Sequence, residues 1–335
     1  MKKLIIPLAL SLAGSVFLAG CSKSGNSGAA GGSTNSSAAA NAGGSSAPAG
    51  PVDLKIKWQI GKRYDMMMDL NQTTDINVPG QPVHQELKLT QGLDYSPLKE
   101  LDNGGHQVRL QFASQTIDIN QNGKDVLSYD SNQSTPIETN GPVGAVAAAM
   151  HAMVGAPLDF TFAADGTVES IDGIDALSNS IAAAVPNERQ RLQVQQLYDE
   201  DTLKQYGAFA QSLPNHPVNV GDSWSESHDI NNPAGVMTIN SNYTFKNWEQ
   251  HNGHNCVHLV ITGDIKTKTA SASMIGAVIK IKSGSISGDA WFDPDLGMFI
   301  DINSDQDTTL DITTRQMALT QEMKQNVDLS LQGIN

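Results

Sequence analysis

Alternation of apolar and polar residues, which is typical of a strand with one buried and one exposed face, dominates the chain from residue 54 onward. The runs occur in both the first and the last third of the sequence. They lie at 54–58, 86–89, 108–112, 158–162, 237–245, 257–261, 298–302 and 327–331. The pattern therefore predicts a mostly β protein whose strands each have a wet face and a dry face.

Turn residues between these runs indicate antiparallel hairpins. Asp165-Gly166 separates the run 158–162 from Val168 and Ile171. The segment 293–297, Asp-Pro-Asp-Leu-Gly, separates Ala290-Trp291-Phe292 from the run at 298–302. Glycine accepts a positive φ and proline fits an early turn position, so both segments predict tight reversals.

Between residues 142 and 213 the apolar period changes to that of a helix. Three apolar stripes predict three short amphipathic helices, and Pro186 and Pro214 end the second and third. The stripes are Val146, Met150, Met153 and Val154; Ile174, Leu177, Ile181 and Val185; and Leu203, Tyr206, Phe209 and Leu213.

A pattern of turn and strand occurs twice at long spacing. Gly61 precedes Tyr64 as Gly221 precedes Trp224. Each copy is followed by an Asn-Gly pair and then a strand, and these parts align without a gap. They are Asn103-Gly104 before Val108, Leu110 and Phe112, and Asn252-Gly253 before Val257, Leu259 and Ile261. Such a repeat indicates a duplicated structural unit.

These patterns predict an α+β, mostly β fold. We expect duplicated antiparallel halves at about 51–135 and 217–335, joined by a helical connection at about 142–213. Closure into a barrel, or a curved open sheet or half-barrel with the helices in its hollow, would protect the sheet edges. Residues 51–335 are enough for one large domain or two closely packed halves.

The N-terminus predicts export. Lys2 and Lys3 precede an apolar run, residues 4–18, that is too short to cross a bilayer, and small residues follow it. Leu18-Ala19-Gly20-Cys21 resembles the signal of bacterial lipoproteins. That resemblance implies removal of residues 1–20, acylation of Cys21 with palmitate-type chains, and location in the cell envelope. In the diderm families that this signal resembles, Ser22 after the cysteine favours transfer to the outer membrane, facing the periplasm, with retention at the inner membrane as the alternative.

Residues 21–50 are mostly Ser, Gly, Ala and Asn, which cannot build a core. We expect a disordered tether with a typical end-to-end distance of roughly 30 Å. The formal net charge of −14 argues against nucleic acid and against anionic lipid head groups as partners. Cys256 is the only other cysteine, and with Cys21 acylated no internal disulfide can form.

His251, His254, Cys256 and His258 are the strongest candidate for metal chemistry. Residues 254, 256 and 258 would share one strand face, and such a set could bind zinc or copper. Val257 and Leu259 take the opposite, core-facing side, so we expect the histidines to face solvent and to hold no metal.

Other chemical signals are weaker. Asp301, Asn303, Asp305 and Asp307 suggest a calcium loop, but Gln306 and Ile312 stand where that loop needs Gly and Glu. We interpret the row as the polar face of a strand. No nucleophile motif is present, and Cys256 is expected to be a buried or half-buried cysteine. We therefore expect no catalytic residue and no cofactor.

Several motifs together resemble a family of bacterial lipoproteins that is known only as a domain of unknown function. The resemblance rests on the Cys21 signal, the paired Gly-x-x-aromatic openings and the Gly288-x-x-Trp291-Phe292-Asp293…Gly297 hairpin, and would cover most of residues 55–320. More loosely, the layout resembles envelope half-barrels that carry lipids or lipoproteins. That resemblance implies a lipid-binding module and offers no catalytic residue.

Two functions remain open. The chain is expected to be a non-enzymatic, membrane-tethered module that binds an apolar or lipid-like ligand. In that case the stripe at 143–154 would cover an apolar cavity, and Met66-Met67-Met68 would contribute to its lining. Alternatively it is a structural or adaptor lipoprotein that engages another envelope protein and has no ligand cavity.

Overall fold

The computed structural model describes residues 50–78, 80–133, 141–195, 198–232, 235–270, 278–314 and 317–335. Within them there are twelve strands, which include seven of the eight alternating runs predicted from the sequence. The strands are β1 Tyr64–Asn77, β2 Val83–Glu100, β3 His106–Gln121, β4 Lys124–Asp130, β5 Leu158–Phe162, β6 Val168–Asp172, β7 Ser223–Asn232, β8 Gly235–His251, β9 His254–Ala270, β10 Val278–Asp293, β11 Met298–Thr313 and β12 Ala318–Ile334.

Helices occupy the connection between β4 and β7. They are α1 Gly141–Met153, α2 Ile174–Ala184, α3 Glu188–Gln195, α4 Glu200–Lys204 and a 3₁₀ helix, Gln205–Gln211. The sequence pattern missed α3, because Val194 is the only buried one among its described side chains. The third predicted helix is one turn of α-helix continued as the 3₁₀ helix. No helix of the described part is long and apolar enough to cross a membrane.

Helix α1 differs from the amphipathic helix that was predicted. Residues 145–150 are all buried, because alanines fill the positions between Val146 and Met150. The helix therefore packs on more than one side and contacts β3, β4, α2 and α3. A helix that is apolar around its circumference belongs inside a fold, not on its surface.

The strands form one antiparallel sheet that is curved and open. Its order is β6-β5-β3-β2-β1-β12-β11-β10-β9-β8-β7, and β4 also pairs with β3. The chain starts in the middle of the sheet at β1, reaches one edge at β6, crosses to the opposite edge at β7 and returns to the middle. There β12 pairs with β1 from Tyr64↔Ile334 to Asn77↔Thr320.

The two halves are duplicated, as predicted. Before β1, Lys62 N donates to Gln59 O at 3.1 Å, and before β7, Asp222 N donates to Asn219 O at 3.0 Å. Gly61 and Gly221 occupy the same place in these turns, with φ of 83° and 94°. A positive φ at the third turn residue favours glycine. Each turn therefore sets the start of an equivalent strand.

The aromatic residues that open these strands occupy equivalent sites. Tyr64 lies opposite Tyr95, and Trp224 lies opposite Tyr243, whose ring stacks on it at 5.7 Å between centroids. Both Tyr64 and Trp224 are buried. The structure thus confirms the fold class and the equivalence of the two strand openings.

The two faces of the sheet differ in chemistry. The inner face carries Met66 and Met68 on β1 and Val327 and Leu329 on β12, and these join the main hydrophobic core. The outer face carries polar residues such as Asp69 and Asp328. The helices between β4 and β7 pack against the inner face, so any ligand site in the core lies between them and the sheet.

Residues 54–58 do not form the strand that their alternation predicts. Val52 makes an isolated bridge with Val218, and Lys57 N donates to Gly297 O at 2.8 Å. Leu54 and Trp58 are nevertheless buried. The alternation reflects an extended segment that packs on the core without joining a strand ladder.

Candidate functional site

A small apolar gap of about 20 Å³ lies between the inner face and the 3₁₀ helix. Its walls are Met68, Leu93, Tyr95, Gln205, Tyr206, Phe209, Val327 and Leu329. The volume is close to that of one water molecule, which needs two to four polar partners that this lining scarcely offers. Met68 lines the gap, but Met66 and Met67 do not. The stripe at 143–154, which was expected to cover an apolar cavity, contributes no residue to the lining, because the 3₁₀ helix covers this place instead.

The 3₁₀ helix is held over this gap by a chain of hydrogen bonds. Tyr95 Oη donates to Tyr206 O at 2.7 Å, and Tyr206 Oη donates to Gln91 Oε1 at 3.0 Å. Gln91 Nε2 donates to Gln115 Oε1 at 2.9 Å, and Gln115 Nε2 donates to Met150 O at 3.2 Å. Burial raises the pKa of the Tyr95 and Tyr206 phenols. Both therefore stay neutral donors.

Aromatic side chains hold the other side of the 3₁₀ helix. Trp58 lies 5.2 Å from Tyr64, 6.0 Å from Tyr95 and 6.3 Å from Phe209, measured between ring centroids. Phe209 also contacts Phe299 at 6.5 Å. These offset and edge-on contacts favour a fixed arrangement. They connect the extended segment 54–58, the sheet and the 3₁₀ helix at one place.

Further along the inner face, buried glutamines replace the aliphatic residues. We call this set, Gln72, Gln306, Gln321 and Gln325, the amide belt. Gln325 on β12 lies opposite Gln72 on β1 and Gln306 on β11. All four side chains are 3% exposed or less. The inner face therefore changes from apolar to hydrogen-bonding along the length of the central strands.

The outer face has a wider and more open hollow of about 560 Å³ across the five central strands β2, β1, β12, β11 and β10. Its outward-facing side chains are Asn71, Thr73, Glu86, Lys88, Ser287, Asp305, Asp307, Lys324 and Asn326. They carry both signs of charge and no large apolar group. Such a lining suits a polar surface of another molecule better than an acyl chain.

The predicted histidine cluster is brought together on the outer face, but as ion pairs. His251 lies 3.1 Å from Asp301, and His254 lies 2.8 Å from Asp293. His258 lies 2.5 Å from Asp289 and 3.3 Å from Glu249. Each imidazole is thus oriented by its own carboxylate.

The expectation that these histidines face solvent is wrong for His258, which is 5% exposed. Trp291 lies opposite His258 in the β9–β10 register and covers it, with 5.0 Å between the ring centroids. The same indole stacks on His251 at 4.1 Å and donates its N–H to Glu249. Burial pushes the pKa of Glu249 upward, but the hydrogen bonds from Trp291 and Asn247 and the nearby His258 bring it below its usual value.

Cys256 is fully buried on the same face of β9. Burial, with smaller effects from Asp293 and Glu249, raises the pKa of its thiol to about 12. A neutral buried thiol is a poor nucleophile and a poor metal ligand. Among the described residues, no group of three His, Cys, Asp or Glu side chains is placed to hold a metal ion.

The acidic row on β11 is the polar face of a strand, as interpreted from the sequence. Asp301, Asn303, Asp305 and Asp307 alternate with the buried residues Ile302, Ser304, Gln306 and Thr308. Asn326 Nδ2 donates to Asp305 at 3.0 Å, and Asn303 donates to Asp328. Asp305 thus accepts a cross-strand hydrogen bond, and Asp301 is paired with His251.

The family of unknown function DUF6263 matches residues 103–316, well over half of the chain. The chain belongs to this family. The matched range contains two of the motifs behind the resemblance, the Gly221–Trp224 opening and the Gly288–Gly297 hairpin, whereas Cys21 and the Gly61–Tyr64 opening lie outside it. A search of curated protein sequences finds no match for this DUF6263 chain.

Three solved structures resemble the DUF6263 chain. A structure of lipid–protein interactions in lipovitellin shares 11% identity over 83% of this chain, with a TM-score of 0.45, and the chain spans only 26% of the lipovitellin chain. An exported protein with a YmcC-like fold from Bacteroides fragilis shares 10% identity over 84% of this chain and 99% of its own, with a TM-score of 0.24. A domain assigned to outer-membrane lipoprotein sorting from Vibrio parahaemolyticus shares 8% identity over 82% of this chain and 84% of its own, with a TM-score of 0.15. These scores are too low to indicate a shared function.

Sequence reasoning missed the amide belt of this DUF6263 protein. Gln321 and Gln325 continue the alternation of Val327 and Leu329 toward the start of β12, with Met323 between them. Glutamines at the apolar positions of a strand were the available signal. The carboxylate partners of the histidines come from β8, β10 and β11, and their positions depend on strand register. Cys21, the predicted lipid attachment site, lies outside the described residues.

Proposed function

We propose that this protein is a non-enzymatic envelope module, tethered to the membrane through Cys21, that binds an apolar or lipid-like ligand on the inner face of its sheet. The observation that carries the proposal is the apolar gap beneath the 3₁₀ helix. Seven of its eight lining residues are aliphatic, thioether or aromatic. The gap lies at the end of an apolar wall formed by β1, β2 and β12.

At about 20 Å³ the gap is too small to hold a ligand. A bound acyl chain needs a site of several hundred Å³, so the 3₁₀ helix has to move for a ligand to enter. The contacts that hold it are the Tyr95–Tyr206–Gln91 hydrogen bonds and the packing of Phe209. A 3₁₀ helix has poorer hydrogen-bond geometry than an α-helix, which makes it a suitable segment to move. Met66 and Met68 can adapt their shapes to a chain that replaces it.

A second function is favoured by the outer hollow of about 560 Å³. Its mixed charges suit a protein partner, and in that case the chain is an adaptor that engages another envelope protein. The adaptor function requires no acyl ligand. It predicts that replacing Asp307 and Lys324 with alanine abolishes crosslinking to the partner.

The lipid proposal is tested with the full chain carrying Cys21→Ser, so that no attached acyl chain competes. Oleate and 1-oleoylglycerol are added, and stoichiometric binding is measured by native mass spectrometry. Val327→Phe fills the gap from β12 and should weaken binding at least tenfold. Ser330→Phe adds the same ring to the outer face of the same strand and should leave binding unchanged. If neither probe binds the unsubstituted protein, the lipid proposal is wrong.

A further inference from the structure

Two glutamines of the amide belt are buried and form no hydrogen bond with any described residue. Gln321 and Gln325 are 1% and 2% exposed. Within the part of the chain that the structure describes, neither the amide nitrogen nor the amide oxygen of either side chain has a partner. The hydroxyl of Thr308 on β11 is also buried and unpartnered there. Buried polar groups are almost always paired, so a set of unpaired groups on one surface calls for an explanation.

These groups lie along the inner face of β11 and β12, with Gln321 and Gln325 four residues, roughly 13 Å, apart on β12. Gln325 lies between Gln72 and Gln306 in the register of the three central strands. Met323, one step along the same face, lies between Thr74 and Thr308. Gln325 is two residues from Val327, which lines the apolar gap, so the two positions are roughly 7 Å apart along the strand. The Gln325 amide therefore adjoins the apolar wall, and Gln321 lies four residues further along the strand.

Leaving these amides unpaired destabilises the folded protein. A leucine or methionine at either position would continue the apolar alternation of β12 without an unpaired donor or acceptor. A buried amide without partners lowers the stability of the folded state relative to a paired one, because its lost hydration is not replaced. Groups that lower stability in this way are typical of binding sites, where a ligand supplies the missing partners.

The chemistry of the surface selects an uncharged partner. The only lysine or arginine on β1, β11 and β12 is Lys324, which is exposed on the outer face. The inner face of these strands offers amide N–H donors, amide oxygens and hydroxyls, with no cation to neutralise a phosphate or a carboxylate. Burying an unpaired anion is much more costly than burying a neutral group that forms hydrogen bonds.

We propose that Gln321, Gln325 and Thr308 bind the uncharged ester- and hydroxyl-bearing head of an acylglycerol-type amphiphile, whose acyl chain lies on the adjoining apolar wall. This inference rests on the proposed lipid-binding function and specifies its ligand class. The ester carbonyls accept from the glutamine amides, and the glycerol hydroxyls donate to the glutamine oxygens.

The experiment uses the full chain with Cys21→Ser and compares 1-oleoylglycerol with oleate by native mass spectrometry and isothermal titration calorimetry. The unsubstituted protein should bind 1-oleoylglycerol at least tenfold more tightly than oleate. Gln321→Leu and Gln325→Leu together should weaken binding of 1-oleoylglycerol about tenfold and leave binding of oleate unchanged. One or two hydrogen bonds account for a change of that size. Asn326→Leu, the same kind of change on the outer face of β12, should alter neither affinity.

A second measurement separates a binding role from a structural one. Each leucine variant should raise the Tm of the ligand-free protein by about 2–4 °C, because an unpaired amide is removed. A lower Tm together with unchanged binding would mean that the glutamines stabilise the fold, and it would overturn the inference. Equal affinity for both probes, unaffected by the leucines, would also overturn it and leave lipid binding intact. Failure of both probes to bind would overturn the lipid proposal itself.

Discussion

His228, on the edge strand β7, is a buried histidine whose two ring nitrogens make no hydrogen bond among the described residues. Burial lowers its pKa to about 4, although the neighbouring Asp229 acts in the opposite direction. The imidazole is therefore neutral in the folded protein at pH values where an unfolded chain, with a histidine pKa near 6.5, binds a proton. Folding stability is coupled to that proton.

We predict that the free energy of unfolding falls as the pH is lowered from about 6.5 to about 4. Over this window the unfolded state binds a proton that the folded state does not, so acid favours unfolding. The difference between the pKa values of the unfolded and folded states corresponds to a loss of about 3 kcal/mol in the free energy of unfolding at about pH 4. Denaturant unfolding at a series of pH values measures the effect. His228→Leu should remove this component, whereas His216→Leu, at an exposed position, should leave it.

At the scale of single residues, the sequence shows where apolar and polar residues lie but does not indicate which of the polar ones are buried. His228 and Gln325 lie at alternating positions that a buried strand face would predict to be apolar. Histidine and glutamine are usually exposed, and only the three-dimensional packing shows that these two side chains are buried. Cys256 was the easier case, because a lone cysteine is typically buried.

At the scale of elements, the repeated turn and strand is the feature that the sequence predicted best. Glycine at a positive φ and an aromatic residue three positions later define both copies. The second Asn-Gly pair forms a two-residue turn, with φ of 48° at Asn252 and 86° at Gly253, which suits a hairpin. The first pair lies in a longer loop, in which Leu101 N donates to Gly105 O. The Asn-Gly pair thus predicted a reversal of chain direction in both copies, but not the length of the connecting loop.

Trp224→Ala should lower the free energy of unfolding by about 3–5 kcal/mol, the usual range for a large aromatic side chain removed from a core. Trp224 is buried, stacks on Tyr243 and donates its indole N–H to Ser212 O at 2.9 Å, so the variant also leaves that carbonyl unpaired. Urea unfolding monitored by far-UV circular dichroism measures the loss.

Val220→Ala, four residues earlier and 54% exposed, is the matched control and should change stability by about 0.5 kcal/mol or less. Tyr64→Ala should behave like Trp224→Ala, because it removes the equivalent aromatic residue of the other half. A loss below about 1 kcal/mol at Trp224 would show that the two strand openings are not equivalent in energy.

At the scale of the whole molecule, the sequence predicted the architecture but not how the two halves of the sheet are joined. The alternation and the turn residues predicted antiparallel meanders, and the repeated turn-and-strand pattern predicted two halves. The pairing of β1 with β12 joins residues at opposite ends of the folded chain, and no local pattern encodes that register. The pairing places both ends of the folded chain in the middle of the sheet, and the helical connection runs from one edge to the other.

The anchor is the remaining whole-molecule prediction. β1 begins in the centre of the sheet, and the segment before it packs on the core through Leu54 and Trp58. A lipid on Cys21 would therefore hold the domain at the membrane through the 21–50 segment, without any contact between the sheet and the membrane. Acyl chains contribute roughly 0.8 kcal/mol per buried methylene, so several of them bind far more firmly than the acidic surface could.

Cys21→Ser should move the protein from the membrane to the soluble periplasmic fraction without unfolding it. The variant is best made with residues 1–20 replaced by a signal whose cleavage does not depend on cysteine. Cell fractionation gives the location, and Tm gives the folded state. Cys256→Ser is the matched control: it changes the other cysteine, which is buried in β9, and should leave the protein at the membrane. Continued membrane association of a folded Cys21→Ser protein would contradict the anchor, because the remaining surface would then have to bind the membrane by itself.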